Sequence, residues 1–169
     1  MLKILIPVEG RSNSLHAVRH AIHEFRKNAA LEIHLLNVQA PLSNYIARFV
    51  GRVDRDAFRR DQAELALLPA RQMLTRFAVP YEAHVKLGAK ASVIADMARR
   101  LGCDHIVMST ARKNSLLRMV ENSTINKVIE LTTVPVEIGA GDAPSKVERF
   151  GVPVGVGTAL ASLFFAAAE

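Results

Sequence analysis

The sequence predicts an α/β fold: an open, five-stranded parallel sheet, doubly wound with helices on both faces. Two observations carry this. Short runs rich in Ile, Leu and Val recur five times, and segments with helical apolar spacing lie between them. The runs are apolar on both faces, the pattern of strands sandwiched between two helical layers rather than half-exposed to water.

The elements follow in order along the chain. Leu2 to Val8 (LKILIPV) is the first strand, and from Ser14 onward Leu15, Val18, Ile22 and Phe25 mark an amphipathic helix. Residues 32–38 (EIHLLNV) form the second strand and 81–88 (YEAHVKLG) the third. Ala91 to Leu101 carries Val93, Ile94, Met97, Ala98 and Leu101 on one stripe, and Gly102 stops it as a C-cap. HIVMS is the fourth strand, Ser123 to Leu131 a short helix, and VPVEIG, 134–139, the fifth strand. Right-handed crossovers then place ligands beyond the carboxyl ends of the strands, where the strand order reverses. Two loops face that crevice: EGRSNS after the first strand and STARKNSLLRMVENS after the fourth.

The bulk numbers narrow the function classes. At 169 residues, half of them hydrophobic, the chain makes one domain with a real core plus a short appendage. Aromatics are scarce, with no Trp and two Tyr, so platforms for stacking bases are not expected and no specific nucleic-acid partner is predicted. The net charge of +6 suits anionic partners without choosing among them. The single cysteine, Cys103, opens an apolar run and reads as a buried structural thiol in a reducing cytosol. The start, MLKILIPVEG, lacks the features of a secretory signal, so a cytoplasmic location is expected.

Three stretches, KILIPVEGRSNS, VKLGAKASVIADMARRLGCDHIVMST and NSTINKVIELTTVPVEI, together resemble a universal stress protein over residues 1–139. The resemblance implies a Rossmann-like sheet of the adenine nucleotide α-hydrolase type with strand order 3-2-1-4-5. It also implies a homodimer joined through the last strand, residues 134–138, and in many members a bound ATP or other adenine nucleotide, with any Mg²⁺ that accompanies it. In ATP-binding members the phosphate loop runs Gly, two residues, Gly, nine residues, Gly, then Ser or Thr. Here the glycine positions fall on Ser109, Arg112 and Asn122, and the hydroxyl on Ser123 with Thr124 behind it.

The chemistry explains why these departures matter. Glycines let backbone N–H groups reach phosphate oxygens with no Cβ in the way, and they adopt φ > 0 readily. Ser109 is tolerable if its φ is negative. Asn122 suits either a left-handed conformation or the N-cap of the following helix. Arg112, beside Lys113, either fills the phosphate seat or pairs with phosphate. After Pro7 and Val8, Glu9 stands where the resemblance implies Asp, one methylene longer. Val38 matches an adenine-lining position, and Met108 ends the strand that feeds the loop. Those residues are the candidate nucleotide site. The alternative is a dimeric interaction protein with a vestigial site, tethered by its tail.

Other patterns are weaker. His16, His20 and His23 lie on one face of the first helix, but no carboxylate or cysteine completes a set, so no metal site is predicted there. Arg48, Arg52, Arg55 and Arg59 repeat at helical spacing after the second strand and read as a solvated face. Ser109, Ser115 and Ser123 have no recognisable His and acid partners, so no catalytic set is predicted. Residues 140–150 read as a linker. The uncharged segment 151–168 is long enough to reach across a membrane, but Pro153, Gly155 and Gly157 disfavour a helix over its first half, and packing against protein is the expected role.

Overall fold

The computed structural model of the protein describes residues 2–11, 13–41, 51–110 and 115–140, and only the backbone for 115–122 and 140. The strands are β1 (Lys3–Pro7), β2 (Glu32–Gln39), β3 (Glu82–Leu87), β4 (His105–Thr110) and β5 (Val136–Ala140). The helices are α1 (Ser14–Lys27), α2 (Arg52–Arg76), α3 (Lys90–Leu101) and α4 (Ser115–Leu131). All strand pairs are parallel, as the sequence pattern predicts, and their order is β3-β2-β1-β4-β5, as the resemblance implies.

Strand pleating sorts the side chains of the central strands into two cores. Ile4 and Ile6 of β1 and Ile33 and Leu35 of β2 pack with Val18 of α1 and Leu67 and Leu74 of α2. Leu5 and Leu36, on the opposite face, pack with Ile94 and Ala98 of α3 and Val128 of α4. Each fully buried Leu or Ile stabilises the fold by about 2 kcal/mol. The helix in the long connection earns its place by burying Ala63, Leu67, Ala70 and Leu74, one stripe at helical spacing. On its arginine face Asp56 lies between Arg52 and Arg59 and pairs with both. Arg48 lies outside the described residues.

Two expectations need correction. The last helix begins at Ser115, not Ser123, so Asn122 is its eighth residue and neither caps it nor adopts a left-handed turn. The propensity of SLLRMVEN to continue the helix outweighs the capping signal of Asn122 and Ser123. The third strand is also not covered on both faces: it is the sheet's edge, and Val85 and Leu87 stand exposed on it. The linker 141–150 and the segment 151–168 lie outside the described residues. Among the described residues no helix is long and apolar enough to cross a membrane.

Candidate functional site

The order β3-β2-β1-β4-β5 reverses between β1 and β4, and the crevice there opens beyond the strands' carboxyl ends. Its walls come from five places. Pro7, Glu9 and Arg11 leave β1, Asn13 and Ser14 start α1, Met108 and Ser109 close β4, Lys90 starts α3, and Thr124 and Ile125 belong to α4.

The floor is held by backbone and buried polar bonds. Val8 donates its N–H to the Leu36 carbonyl at 2.8 Å. Asn37, almost fully buried, donates to the Val8 carbonyl at 2.7 Å and accepts from Gln39 at 2.7 Å. This satisfies the carbonyl where β1 ends, a group that would otherwise be costly to bury. The chain then turns at Gly10, whose φ of +75° and close approach to Ala66 exclude a side chain: a Cβ there would meet the Ala66 Cα at 2.9 Å. α2 thus fixes the loop from behind.

Ser109, at the first glycine position, keeps a negative φ, as its tolerance requires. Its hydroxyl donates to the Asn13 carbonyl at 2.5 Å, tying the end of β4 to the start of α1. Glu9 is likewise engaged: Lys90 donates to its carboxylate at 2.9 Å across the mouth. Both groups are partly exposed, so this pair is worth little to stability and yields readily to a competing ligand.

The arrangement offers chemistry in three zones. Met108, Ile125 and Pro7 make an apolar wall. Glu9 accepts hydrogen bonds of the kind that ribose hydroxyls or an exocyclic amine donate. Lys90 and Arg11 supply cations for a phosphate.

The sequence-predicted residues divide accordingly. Pro7, Glu9, Met108, Ser109 and Thr124 come together on the crevice. Val8 is buried in the core, and Val38 packs against the α3–α4 core. Ser123 is exposed on α4, well inside the helix, so it does not sit at a helix start. Arg112 and Lys113 lie outside the described residues. Lys90 was missed by sequence reasoning, although every parallel strand ends on this edge and the turn after β3 therefore faces it too. Arg11, Asn13 and Ser14 belong to a loop that the sequence already aims at the crevice.

The histidines of α1 do not gather. His20 pairs with Glu137 of β5 at 2.9 Å, His16 lies 3.1 Å from Arg19, and His23 is exposed. Cys103 is buried, and burial pushes its thiol up to about 11, the expected inert state.

Comparison with known proteins points one way. The profile of the universal stress protein family matches residues 1–138. A universal stress protein of Methanocaldococcus jannaschii is 27% identical over 140 residues, which cover 79% of this chain and 79% of that one. Among solved structures, an Arabidopsis thaliana universal stress protein family protein with AMP bound superposes with a TM-score of 0.62 at 17% identity, covering 86% of this chain and 97% of that one. A universal stress protein in complex with cAMP gives 0.61 at 15% identity, covering 82% and 96%. At such identities the structural likeness speaks for the fold.

Proposed function

This chain belongs to the universal stress protein family, and we propose that it is a stress-response binding module that holds an adenine nucleotide in the β1–β4 crevice. The observation that carries the reading is the crevice itself: an apolar wall, an accepting carboxylate at Glu9 and cations at Lys90 and Arg11, all at the switch point of the sheet. Fold neighbours that hold AMP and cAMP support it.

The nucleotide we favour is a monophosphate rather than ATP. A triphosphate needs a run of flexible backbone, and here α4 begins at Ser115, five residues past Thr110. The glycine positions are also filled, at Ser109 by a side chain that latches two loops together. The module works, on this reading, in the cytosol as a homodimer joined along β5.

Isothermal titration of the full chain with AMP, cAMP and ATP tests the proposal. AMP is expected to bind with one site per chain, and Lys90→Ala to weaken it by about tenfold, the loss of one charge-assisted contact of about 1.5 kcal/mol. Absence of heat with any of the three, from protein confirmed as folded, rejects nucleotide binding and leaves a protein-interaction module. Tight ATP binding with weak AMP binding rejects the preference for a monophosphate.

A further inference from the structure

At the opposite end of the sheet from the crevice, where β2 and β3 begin, three side chains meet that no functional argument has used. His34 of β2 lies opposite Glu82 of β3 in the ladder, and His84 follows two residues on, so all three project from one face. The His34 Nδ1 is 3.2 Å from the His84 Nε2 and 3.6 Å from the Glu82 Oε2. The same His84 nitrogen is 3.8 Å from the same Glu82 oxygen.

These three atoms form a near-equilateral triangle. Its sides are close to the ~3.4 Å ligand separation of a tetrahedral ion, which would sit just off the plane of the three atoms with bonds of about 2.1 Å to each. Two imidazoles and one carboxylate are a known donor set for Zn²⁺. We propose that His34, Glu82 and His84 form a Zn²⁺ site that clamps the edge strand β3 to β2.

The far nitrogen of the His34 ring bears on how a metal at Nδ1 would be held. His34 is 5% exposed, yet its Nε2 makes no hydrogen bond among the described residues. A buried imidazole nitrogen left so is costly. Zn²⁺ at Nδ1 requires the ring's hydrogen on Nε2, and Nε2 faces the Glu32 Oε2 at 3.9 Å. Glu32, also paired with Lys3 at 3.0 Å, is a carboxylate beside that nitrogen, and closing the gap to hydrogen-bond distance would let it orient the ring when metal binds. Glu82 and His84 lie toward solvent, leaving an entry path and a fourth position for water.

Zinc titration of chelator-treated full-length protein against a competing chromophoric chelator tests the site. The expected result is one Zn²⁺ per chain, with affinity falling at least about tenfold in His84→Ala and in Glu82→Gln. Glu32→Gln is expected to weaken binding by about tenfold as a positioning residue. His16→Ala is expected to bind as the wild type does. Circular dichroism in chelator controls for folding, and Glu82 is exposed enough that its replacement leaves the fold intact. Co²⁺ loading gives the absorption of a tetrahedral ion only if the geometry is right. Failure of the wild type to take up Zn²⁺, or uptake unchanged in both Glu82→Gln and His84→Ala, overturns the proposal.

Discussion

At the residue scale, His34 links burial to pH. Desolvation is the largest influence on it and lowers its pKa below 6.5, opposed by the carboxylates of Glu82 and Glu32 and reinforced by His84 and Lys3. The folded state therefore prefers the neutral ring more than the unfolded chain does. The resulting stability is fully present above the unfolded value near 6.5 and is lost as pH falls below it. Thermal melts in chelator from pH about 7.5 down to about 5 are expected to show a falling midpoint, with a shallower slope in His34→Gln. Equal slopes in the two proteins would remove His34 as the cause. Glu9 differs from His34 in that solvent reaches its pair with Lys90, so it is poised to exchange that partner for a ligand.

At the element scale, helix ends show how sequence and structure agree and part. Both α2 and α3 finish in the same double hydrogen-bonded closure. Cys103 donates to Ala98 and Gly102 to Arg99, while Val79 donates to Leu74 and Ala78 to Thr75. The left-handed residue is Gly102 (φ 64°) in one and Ala78 (φ 52°) in the other. Ala pays for its Cβ in that conformation, so Ala78→Gly is expected to stabilise the protein by about 1 kcal/mol, read as a raised denaturation midpoint. An unchanged or lowered midpoint would show that the turn is not strained. The glycine made the end of α3 legible in the sequence, and the alanine hid the end of α2. The start of α4 was misread for a related reason. Asn122 and Ser123 match a cap locally, but the residues before them carry their own helical propensity, and the phosphate-loop spacing drew the boundary eight residues late. The parallel, doubly wound class was legible because hydrophobic runs and connection lengths determine it, whereas the strand order came from the resemblance to the family. The His34 cluster was not legible, since β2 and β3 are separated by more than forty residues and only pairing register brings Glu82 opposite His34.

At the scale of the whole molecule, the sheet's two edges carry different burdens. β3 is flanked by the histidine cluster. Among the described residues no strand pairs with the outer edge of β5, and Ile138 on it is 46% exposed. An open edge carrying an exposed apolar side chain is a template for pairing with another strand. A second copy joined edge to edge about a two-fold axis would pair β5 with β5 and cover Ile138. His20, bound to Glu137 at 2.9 Å, would then hold the strand flat from the opposite face. Light scattering on the full chain is expected to give a dimer at micromolar concentration. Ile138→Lys, which places a charge on the edge and disturbs little of the monomer's core, is expected to give a folded monomer with a nearly unchanged far-ultraviolet spectrum. A monomeric wild type, or a dimer that survives Ile138→Lys, would show that this edge is closed by something other than a second copy. Because the candidate crevice opens beyond the strands' carboxyl ends and not along β5, the monomeric variant is also expected to keep whatever AMP affinity the wild type shows, which separates assembly from ligand binding in a single protein.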